Sequence, residues 1–548
     1  MKTYDAIVVG SGFGGAVAAC RLAERGRSVL LLERGRRWGR QDFPRPPTPQ
    51  ASLDSAPFGS AQGKQDKPAG RPGGGWWWSE REPGLFEFRR FPGMSVVVAA
   101  GVGGGSLVYT NVQKVPPAAA FQGWPAPITL DTLRPYYERV REMLEPTAIP
   151  HDLQRLRAFQ AAHAAIGKAD RVERPLLAIY WGQGGDEERL NRFGARQLPC
   201  NLCGVCVFGC DRHSKNTLDL NYLKRAEDLG AEVRPLCQVT RIEPRGPDYE
   251  VFFRRLSASL PPASLPPQGH AEERVAARSL YLAAGSLGTT ELLLRARDRD
   301  RTLPRLSPRL GQGWSPNGDF FGALLDSRIP LQPTVGPSVA AGYDATDSEG
   351  FYVLEGAIPA SLVAGRRSLV AIAAKVVSFL RLSFIARRGA AGERSHSCGD
   401  QETEELLRHL GVFFLMGRDA SDRSTPLGTG GRLQLDGRGA LDLDWDPRGS
   451  ELLLSRMRRY LRELGRGYGG WMLVPQGWWK KGFGTVHPLG GCGMGRESSE
   501  GVCDPFGRVF GYPNLFVCDG SLFPSGIGVP PSMTIAALAE HVVEHSDR

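Results

Sequence analysis

The feature that most constrains this chain is a glycine-rich turn that follows its first apolar run. Residues 4–9 are typical of a short strand, and a G-x-G-x-x-G motif then opens a helical pattern, before a second apolar run ends at Glu33. The glycines of the turn are Gly10, Gly12, Gly14 and Gly15. Such glycines allow a tight turn and close approach of a pyrophosphate, and the acidic residue can accept hydrogen bonds from a ribose. The pattern predicts a βαβ unit that binds a dinucleotide.

Composition favours a soluble, folded protein over a fibrous, disordered or membrane-spanning one. The chain has 548 residues, of which 41% are hydrophobic and 23% are charged, as in ordinary globular proteins. The net charge is +10, but Lys and Arg are spread along the chain and no nucleic-acid-binding motif accompanies them. The first apolar run has no small-residue cleavage site after it, and four of the ten cysteines are crowded together. We therefore expect a cytoplasmic protein that does not bind nucleic acid.

Three further segments stand out along the chain. Residues 279–294 repeat the order of strand, glycine turn and helix, whereas residues 44–75 are rich in Pro, Gly and Ser and predict a surface insertion. Residues 360–388 are the most hydrophobic stretch, but Lys375 and Arg381 interrupt it, so it does not predict a membrane span. Two interpretations remain open for this stretch: peripheral contact with a membrane, or a buried helix of a substrate domain.

Several motifs in the rest of the chain identify a family. They are GVGGGSLVYTN at 101–111, YLAAGSLGTTELLL at 281–294, GQGWSPNGD at 311–319, HPLGGCGMG at 487–495 and NLFVCDGSLFPSGIGVPPSMTIAALAEH at 514–541. In this order they resemble the flavin-domain signatures of the glucose-methanol-choline (GMC) oxidoreductase family, in its cholesterol oxidase-like branch. The resemblance implies an α/β fold, with a discontinuous Rossmann-type FAD-binding domain and an inserted α+β substrate domain.

The same resemblance implies domain boundaries. The expected FAD-binding domain comprises residues 1–115, 211–320 and 483–548, with a flexible insertion at 41–80. The expected substrate domain comprises residues 116–210 and 321–482, and includes the Cys-rich segment 200–210.

The resemblance also implies which residues bind FAD. Besides the first glycine turn and Glu33, they are Gly103, Gly104, Gly105, Ser106, Val239, Asp519, Gly520 and Pro531. Glycines let a flat ring approach bare backbone, and nearby amide N–H groups can tune its electronics. The family's usual attachment histidines are not evident near 101–111, so non-covalent FAD is expected.

His487 matches the catalytic histidine of the family. When an alcohol is oxidised, its hydroxyl proton needs an acceptor, and an imidazole suits that task near neutral pH. The family usually has a second His or Asn where this chain has Pro530, which has no polar side chain. Some relatives also isomerise a double bond with a buried carboxylate. Of the two candidates, Glu349 and Glu355, only Glu355 lies within an apolar run that could raise its pKa.

Four cysteines follow the spacing of an iron–sulfur motif. Cys200, Cys203, Cys206 and Cys210 form C-x2-C-x2-C-x3-C, as in bacterial ferredoxins. Asp211 stands where those proteins have Pro, and relatives in the GMC family have a similar segment followed by K-N-T. An iron–sulfur cluster, a zinc site and a metal-free turn therefore remain open.

Taken together, these patterns predict FAD-dependent oxidation of a secondary alcohol, such as a 3β-hydroxysterol or a related lipid. Trp76–Trp78 and Trp478–Trp479 could line a pocket for such an apolar substrate, although core packing is the alternative for the first group. The electron acceptor is expected to be oxygen or another redox partner. Two alternatives are a non-sterol alcohol dehydrogenase that passes electrons through an iron–sulfur cluster, and a flavin-binding protein without alcohol chemistry.

Overall fold

The computed structural model describes seven stretches of the chain, and the segments between them include several predicted features. The described residues are 2–43, 75–182, 186–257, 272–359, 408–419, 430–474 and 483–547. Most of the predicted insertion, the hydrophobic stretch 360–388 and Trp478–Trp479 lie outside them.

The described residues form an α/β fold, as predicted. The strands are β1 Thr3–Val9, β2 Val29–Leu32, β3 Phe86–Phe91, β4 Met94–Ala99, β5 Thr147–Ala148, β6 Val172–Glu173, β7 Leu176–Leu177, β8 Arg189–Leu190, β9 Arg196–Gln197, β10 Glu232–Arg234, β11 Cys237–Arg245, β12 Asp248–Arg255, β13 Glu273–Leu282, β14 Gln312–Trp314, β15 Phe320–Leu325, β16 Val339–Ala345, β17 Phe351–Gly356, β18 Gly411–Gly417, β19 Gly431–Leu435, β20 Leu441–Asp444, β21 Trp471–Leu473, β22 Phe483–Thr485 and β23 Leu515–Val517. The α-helices are α1 Phe13–Glu24, α2 Leu130–Leu144, α3 Gln154–Ala165, α4 Tyr222–Asp228, α5 Gly285–Leu294, α6 Glu451–Gly467 and α7 Ser532–His545. A π-helical turn at Arg295–Arg299 extends α5.

The predicted βαβ unit lies at the centre of a seven-stranded sheet. The strand order is β10-β2-β1-β13-β12-β11, and β1 pairs in parallel with both β2 and β13. Along the edge of β13 beyond β1, β12 pairs antiparallel with residues 273–277 and β23 pairs in parallel with residues 280–282. All four residues of β2 are buried, as expected for a parallel strand that is covered on both faces. Helices α1 and α7 pack together beside this sheet.

A six-stranded antiparallel sheet forms the second unit. Its order is β21-β15-β18-β17-β16-β6, and α3 and α6 cover one face. On β17, Phe351 and Val353 pack with these helices, whereas Tyr352 and Leu354 belong to the core of the first sheet. This alternation follows from the two-residue period of a strand, and it makes β17 a boundary between the two cores.

Two contacts join segments that are distant in sequence. Strand β22, which leads to His487, pairs in parallel with β4, which leads into the glycines at 101–106. Helix α2 packs against α7, and the Tyr137 hydroxyl lies 3.0 Å from Thr534 Oγ1. The residues around α2, which the sequence prediction assigned to the substrate domain, therefore contribute to the core of the first sheet. The predicted domain boundaries stay a prediction.

No helix within the described stretches has the length and apolar character needed to cross a membrane.

Candidate functional site

The first glycine turn and the 101–106 loop are in direct contact. A Cβ atom at Gly15 would lie 1.9 Å from Gly10 O, and one at Gly104 would lie 2.5 Å from Gly12 Cα, so side chains cannot be accommodated at either position. By contrast, a Cβ at Gly12 or Gly105 would meet no atom within 4 Å. The two loops therefore leave free space above bare backbone, as the binding of a phosphate or a flat ring requires.

Glu33 and Ser11 connect these two loops. Glu33 is buried, and its Oε2 accepts hydrogen bonds from Ser11 N (3.0 Å) and Ser11 Oγ (2.7 Å), while its Oε1 accepts one from Gly35 N (2.7 Å). The Ser11 hydroxyl in turn accepts a hydrogen bond from Gly103 N at 3.1 Å. Cys237 N donates to Glu33 O at 2.8 Å, which brings the start of β11, and with it Val239, towards the end of β2. The structure thus brings together three of the predicted FAD-binding residues, Glu33, Gly103 and Val239.

Asp519 fastens the C-terminal motif to the first sheet. Its Oδ2 accepts hydrogen bonds from Gly285 N (2.8 Å) and Thr289 Oγ1 (2.5 Å), and its Oδ1 accepts from Ser521 N (2.8 Å) and Ser521 Oγ (2.6 Å). Burial raises the pKa of Asp519, and these donors oppose that shift. Each carboxylate oxygen of Asp519 accepts two hydrogen bonds from the protein, so this side chain holds the loop in place. Gly520 and Pro531 offer backbone atoms and no polar side chain.

Ser106 closes the 101–106 loop, and two unpaired amides follow it. Ser106 Oγ donates to Gly103 O at 2.7 Å and accepts from Leu218 N at 3.1 Å. The side-chain amides of Asn111 and Gln113 are buried, and neither has a hydrogen-bond partner among the described residues. Buried amides are almost always hydrogen-bonded in folded proteins. These orphaned groups have the donors and acceptors to bind a polar cofactor or substrate, and the sequence analysis gives them no role.

His487 lies on a turn that a second loop supports. Leu489 N donates to Ser315 O and Gly490 N donates to Gly520 O, at 2.9 and 2.8 Å. His487 Nδ1 lies 2.8 Å from Asp319 Oδ1, and within the described part of the chain no group hydrogen-bonds to Nε2. The side chains of His487 and Asp319 are 26% and 11% exposed, so the ring is partly open to its surroundings.

The 315–319 loop also holds the turn that contains Pro530. Asn317 Oδ1 accepts from Ile527 N (3.0 Å) and Gly528 N (2.9 Å), and its Nδ2 donates to Val529 O (2.8 Å). Pro530 itself is buried. Sequence reasoning had not assigned roles to Asn317 or Asp319, although their motif was part of the resemblance. The alternation of polar residues in this loop, just before an apolar strand, was the available signal.

Glu355 is not brought to this site as a free carboxylate. It is buried on the face of β17 that α3 covers, and it forms an ion pair with Arg155, whose side chain also donates to Val335 O and Pro337 O. Because Arg155 pairs with it, Glu355 lacks the apolar, unpaired setting that the sequence analysis expected. Glu349 receives hydrogen bonds from Lys168 and Arg459. The structure thus gives both carboxylates structural partners.

The four cysteines do not form the predicted iron–sulfur site. All are free thiols that line one small cavity, yet within the described stretches, which include all four, no three His, Cys, Asp or Glu side chains are placed to bind a metal ion. Burial raises the pKa of Cys200, which favours the neutral thiol over the thiolate that a metal needs. Instead, the buried Lys215 ammonium donates to the backbone oxygens of Leu107, Tyr109 and Cys206 at 2.8–2.9 Å. Lys215 thereby ties this segment to the 101–111 loop.

The first tryptophan group packs within the protein. Trp76 stacks on Phe86, with ring centroids 6.3 Å apart, and meets Phe208 edge-on at 5.2 Å. The Arg34 guanidinium lies 4.4 Å from the centroid of Trp78. These contacts support the packing interpretation for Trp76 and Trp78, whereas Trp77 is 43% exposed.

Comparisons with known proteins agree with this geometry. A family model described as GMC oxidoreductase matches residues 476–539, and one described as NAD(P)-binding Rossmann-like domain matches residues 8–54. The chain is 29% identical to a cholesterol oxidase of Mycobacterium tuberculosis, over 98% of this chain and 90% of that protein. It is 26% identical to a cholesterol oxidase of Acinetobacter baumannii, over 99% and 94%.

More distant relatives include a long-chain-alcohol oxidase of Arabidopsis thaliana, which is 22% identical over 98% of this chain and 65% of that protein. Among solved structures, a fungal aryl-alcohol oxidase has a TM-score of 0.58 and 15% identity, over 99% of this chain and 98% of that one. Pyridoxine 4-oxidase from Mesorbium loti has a TM-score of 0.58 and 16% identity, over 99% of each chain. At these identities the solved structures support the fold alone.

Proposed function

Because the chain belongs to the glucose-methanol-choline oxidoreductase family, in its cholesterol oxidase-like branch, and acts on CH–OH groups, we propose that it oxidises a hydrophobic secondary alcohol with FAD as its cofactor. The substrate we propose is a 3β-hydroxysterol or a related lipid. This choice is supported by the two cholesterol oxidases to which the chain is similar over nearly its whole length.

The residues that would hold FAD come from four segments. The first turn supplies Gly10, Gly12, Gly14 and Gly15 for the pyrophosphate. Glu33 lies at the end of β2, where its carboxylate has lone pairs left to accept hydrogen bonds from ribose hydroxyls. Further contacts come from Gly103–Ser106, Val239, Asp519–Gly520 and Pro531. Support for this assignment comes from the open space above Gly12 and Gly105 and from the orphaned amides that follow the second loop. FAD, when bound, supplies the acceptor for the hydride that leaves the carbinol carbon.

The single observation that carries the proposal is the placement of His487. Its strand, β22, runs beside β4, and β4 leads directly into the 101–106 loop. The imidazole is partly exposed, and among the described residues its Nε2 has no protein partner. A neutral imidazole in this setting can take the hydroxyl proton of an alcohol. We therefore assign His487 as the catalytic base.

Two features refine the proposal. Pro530 offers no polar side chain, so a water molecule or another donor must serve beside His487 as the second partner of the substrate hydroxyl. The oxidase relatives support oxygen as the electron acceptor, with hydrogen peroxide as the second product. A cluster-mediated dehydrogenase receives no support, because the four cysteines do not form a metal site.

An anaerobic absorbance titration tests the proposal. Purified, FAD-loaded protein would be mixed with detergent-solubilised cholesterol, a long-chain primary alcohol and an aromatic alcohol in turn. We expect cholesterol to bleach the flavin bands, and readmitted oxygen to restore them with one peroxide released per flavin. Bleaching by another alcohol alone would reassign the substrate. A flavin that no alcohol bleaches would favour a flavin-binding protein without alcohol chemistry.

A further inference from the structure

We infer that Asp319 positions His487 by keeping the imidazole proton on Nδ1, so that Nε2 remains the proton acceptor. This inference rests on the proposed function, because it describes how the assigned base is held ready. Asp319 acts through His487 and does not replace the polar group that Pro530 lacks.

The hydrogen bonds around Asp319 fix the direction of its contact with the ring. Asp319 Oδ2 accepts from Thr485 Oγ1 (2.8 Å) and from Val486 N (3.0 Å), and Oδ1 faces His487 Nδ1 at 2.8 Å. An ionised carboxylate can only accept hydrogen bonds. Nδ1 must therefore carry the proton, and in the neutral ring Nε2 has the free lone pair.

The backbone around His487 is arranged to keep this contact. His487 N donates to Thr485 Oγ1 at 2.9 Å, so one hydroxyl joins the peptide of His487 to the carboxylate that holds its ring. On the other side, Ser315 Oγ lies 2.9 Å from both oxygens of the buried Asp419, which anchors the start of the 315–319 loop. Both partners of the pair thus sit on loops that the protein fixes independently of any ligand.

The same contacts predict what an amide would do in place of the carboxylate. In Asp319→Asn, the single carbonyl oxygen would be claimed by Val486 N–H, a donor that cannot turn away, and the NH₂ group would then face His487 Nδ1. Nδ1 would have to accept a hydrogen bond, which moves the ring proton to Nε2 and blocks the site that takes the substrate proton. The substitution therefore changes the tautomer without removing any atom from the loop.

The test combines a spectroscopic and a kinetic measurement on the full-length, FAD-loaded protein. In ¹⁵N-histidine-labelled protein, the signal of His487 would be identified from its loss in His487→Gln. We expect ¹⁵N shifts of an Nδ1–H tautomer in the wild type and of an Nε2–H tautomer in Asp319→Asn. With the alcohol that bleaches the wild type, Asp319→Asn should reduce its flavin on the order of 100-fold more slowly, at an unchanged half-saturating concentration.

Asp504→Asn is the matched control, because it makes the same change from carboxylate to amide at a turn aspartate that accepts from Phe506 N and Arg508 N and does not contact His487. It should keep the wild-type tautomer and a reduction rate within a few-fold of the wild type. An Nε2–H tautomer in the wild type, or the same tautomer in the wild type and Asp319→Asn, would overturn the inference. The tautomer decides it even if no alcohol bleaches the flavin, a result that would count against the proposed function alone.

Discussion

Two carboxylates in this protein each pair with a nitrogen-containing side chain, and the two pairs differ in burial and in how many of their nitrogens have partners. Glu355 and Arg155 have side chains that are 3% and 0% exposed, and the other two guanidinium nitrogens donate to backbone oxygens, so all three nitrogens of Arg155 have partners inside the protein. Asp319 and His487 are 11% and 26% exposed, and among described residues the second ring nitrogen of His487 has no partner. The first pair stabilises a domain, whereas the second leaves one atom available for chemistry.

This difference shows that burial alone does not mark a working acid or base. Glu355 lies on an apolar strand, but Arg155 pairs with its carboxylate inside the protein. A histidine can act as a base when one ring nitrogen is held by a hydrogen bond and the other has a free lone pair. The predictions below separate a catalytic pair from a structural one.

The largest expected effect is on His487. His487→Gln should slow anaerobic flavin reduction by about 10³-fold, or about 4 kcal/mol of activation free energy, because the alcohol loses its proton acceptor. Stopped-flow absorbance would measure the rate, and the flavin content of the purified variant should match that of the wild type. A variant that reduces its flavin at the wild-type rate would remove His487 from the reaction.

Breaking the other pair should affect folding and not chemistry. Arg155→Met leaves the Glu355 carboxylate buried without a partner, so the free energy of unfolding should fall by about 3–5 kcal/mol. Urea denaturation would measure this change. The double variant Arg155→Met/Glu355→Leu should recover most of the loss, because no unpaired charge remains. If Glu355→Gln abolished double-bond isomerisation of a sterol product while the fold stayed intact, Glu355 would be catalytic after all.

A smaller effect is expected at Thr485. Thr485→Val keeps the shape of the side chain but removes the hydroxyl that contacts both Asp319 and His487 N. We expect flavin reduction to slow by about tenfold, since one hydrogen bond to a charged group is lost. Thr485→Ser, which keeps the hydroxyl, should reduce its flavin within a few-fold of the wild-type rate. Equal rates in the Val and Ser variants would show that the hydroxyl does not help to hold the pair.

The smallest effect is expected from chelation. The four cysteines are not placed to bind a metal among the described residues, so dialysis against a chelator should change neither the visible spectrum nor the rate of flavin reduction. Elemental analysis should find less than stoichiometric iron or zinc. A brown protein that loses a broad absorbance on chelation would contradict this expectation and restore a metal site.

The sequence predicted the parts of this molecule that depend on local pattern. The first βαβ unit follows from a strand, a glycine turn and an apolar run that are contiguous. Glu355 is buried, as its apolar neighbours suggest. These features depend on residues that are close together in the chain.

Side-chain partners were harder to predict because they are far apart in sequence. Asp319 meets His487 across 168 positions and Arg155 meets Glu355 across 200, and only the folded chain brings the members of each pair together. The cysteine motif is local in sequence, yet its spacing alone does not predict the structure of the site. Spacing allows four thiols to converge on a metal, but convergence depends on the path of the loop, which Lys215 holds to the 101–111 loop. A sequence motif therefore shows which chemistry is possible, but it does not show that the side chains converge to perform it.

The central claim, that this chain oxidises an alcohol beside its flavin with His487 as the base, is tested most directly by one measurement. Stopped-flow bleaching of the flavin would be followed anaerobically with cholesterol and with cholesterol deuterated at its carbinol carbon. We predict complete bleaching that is several-fold slower with the deuterated sterol and is nearly absent in His487→Gln. A flavin that stays oxidised with cholesterol and with every other alcohol tested would contradict the claim.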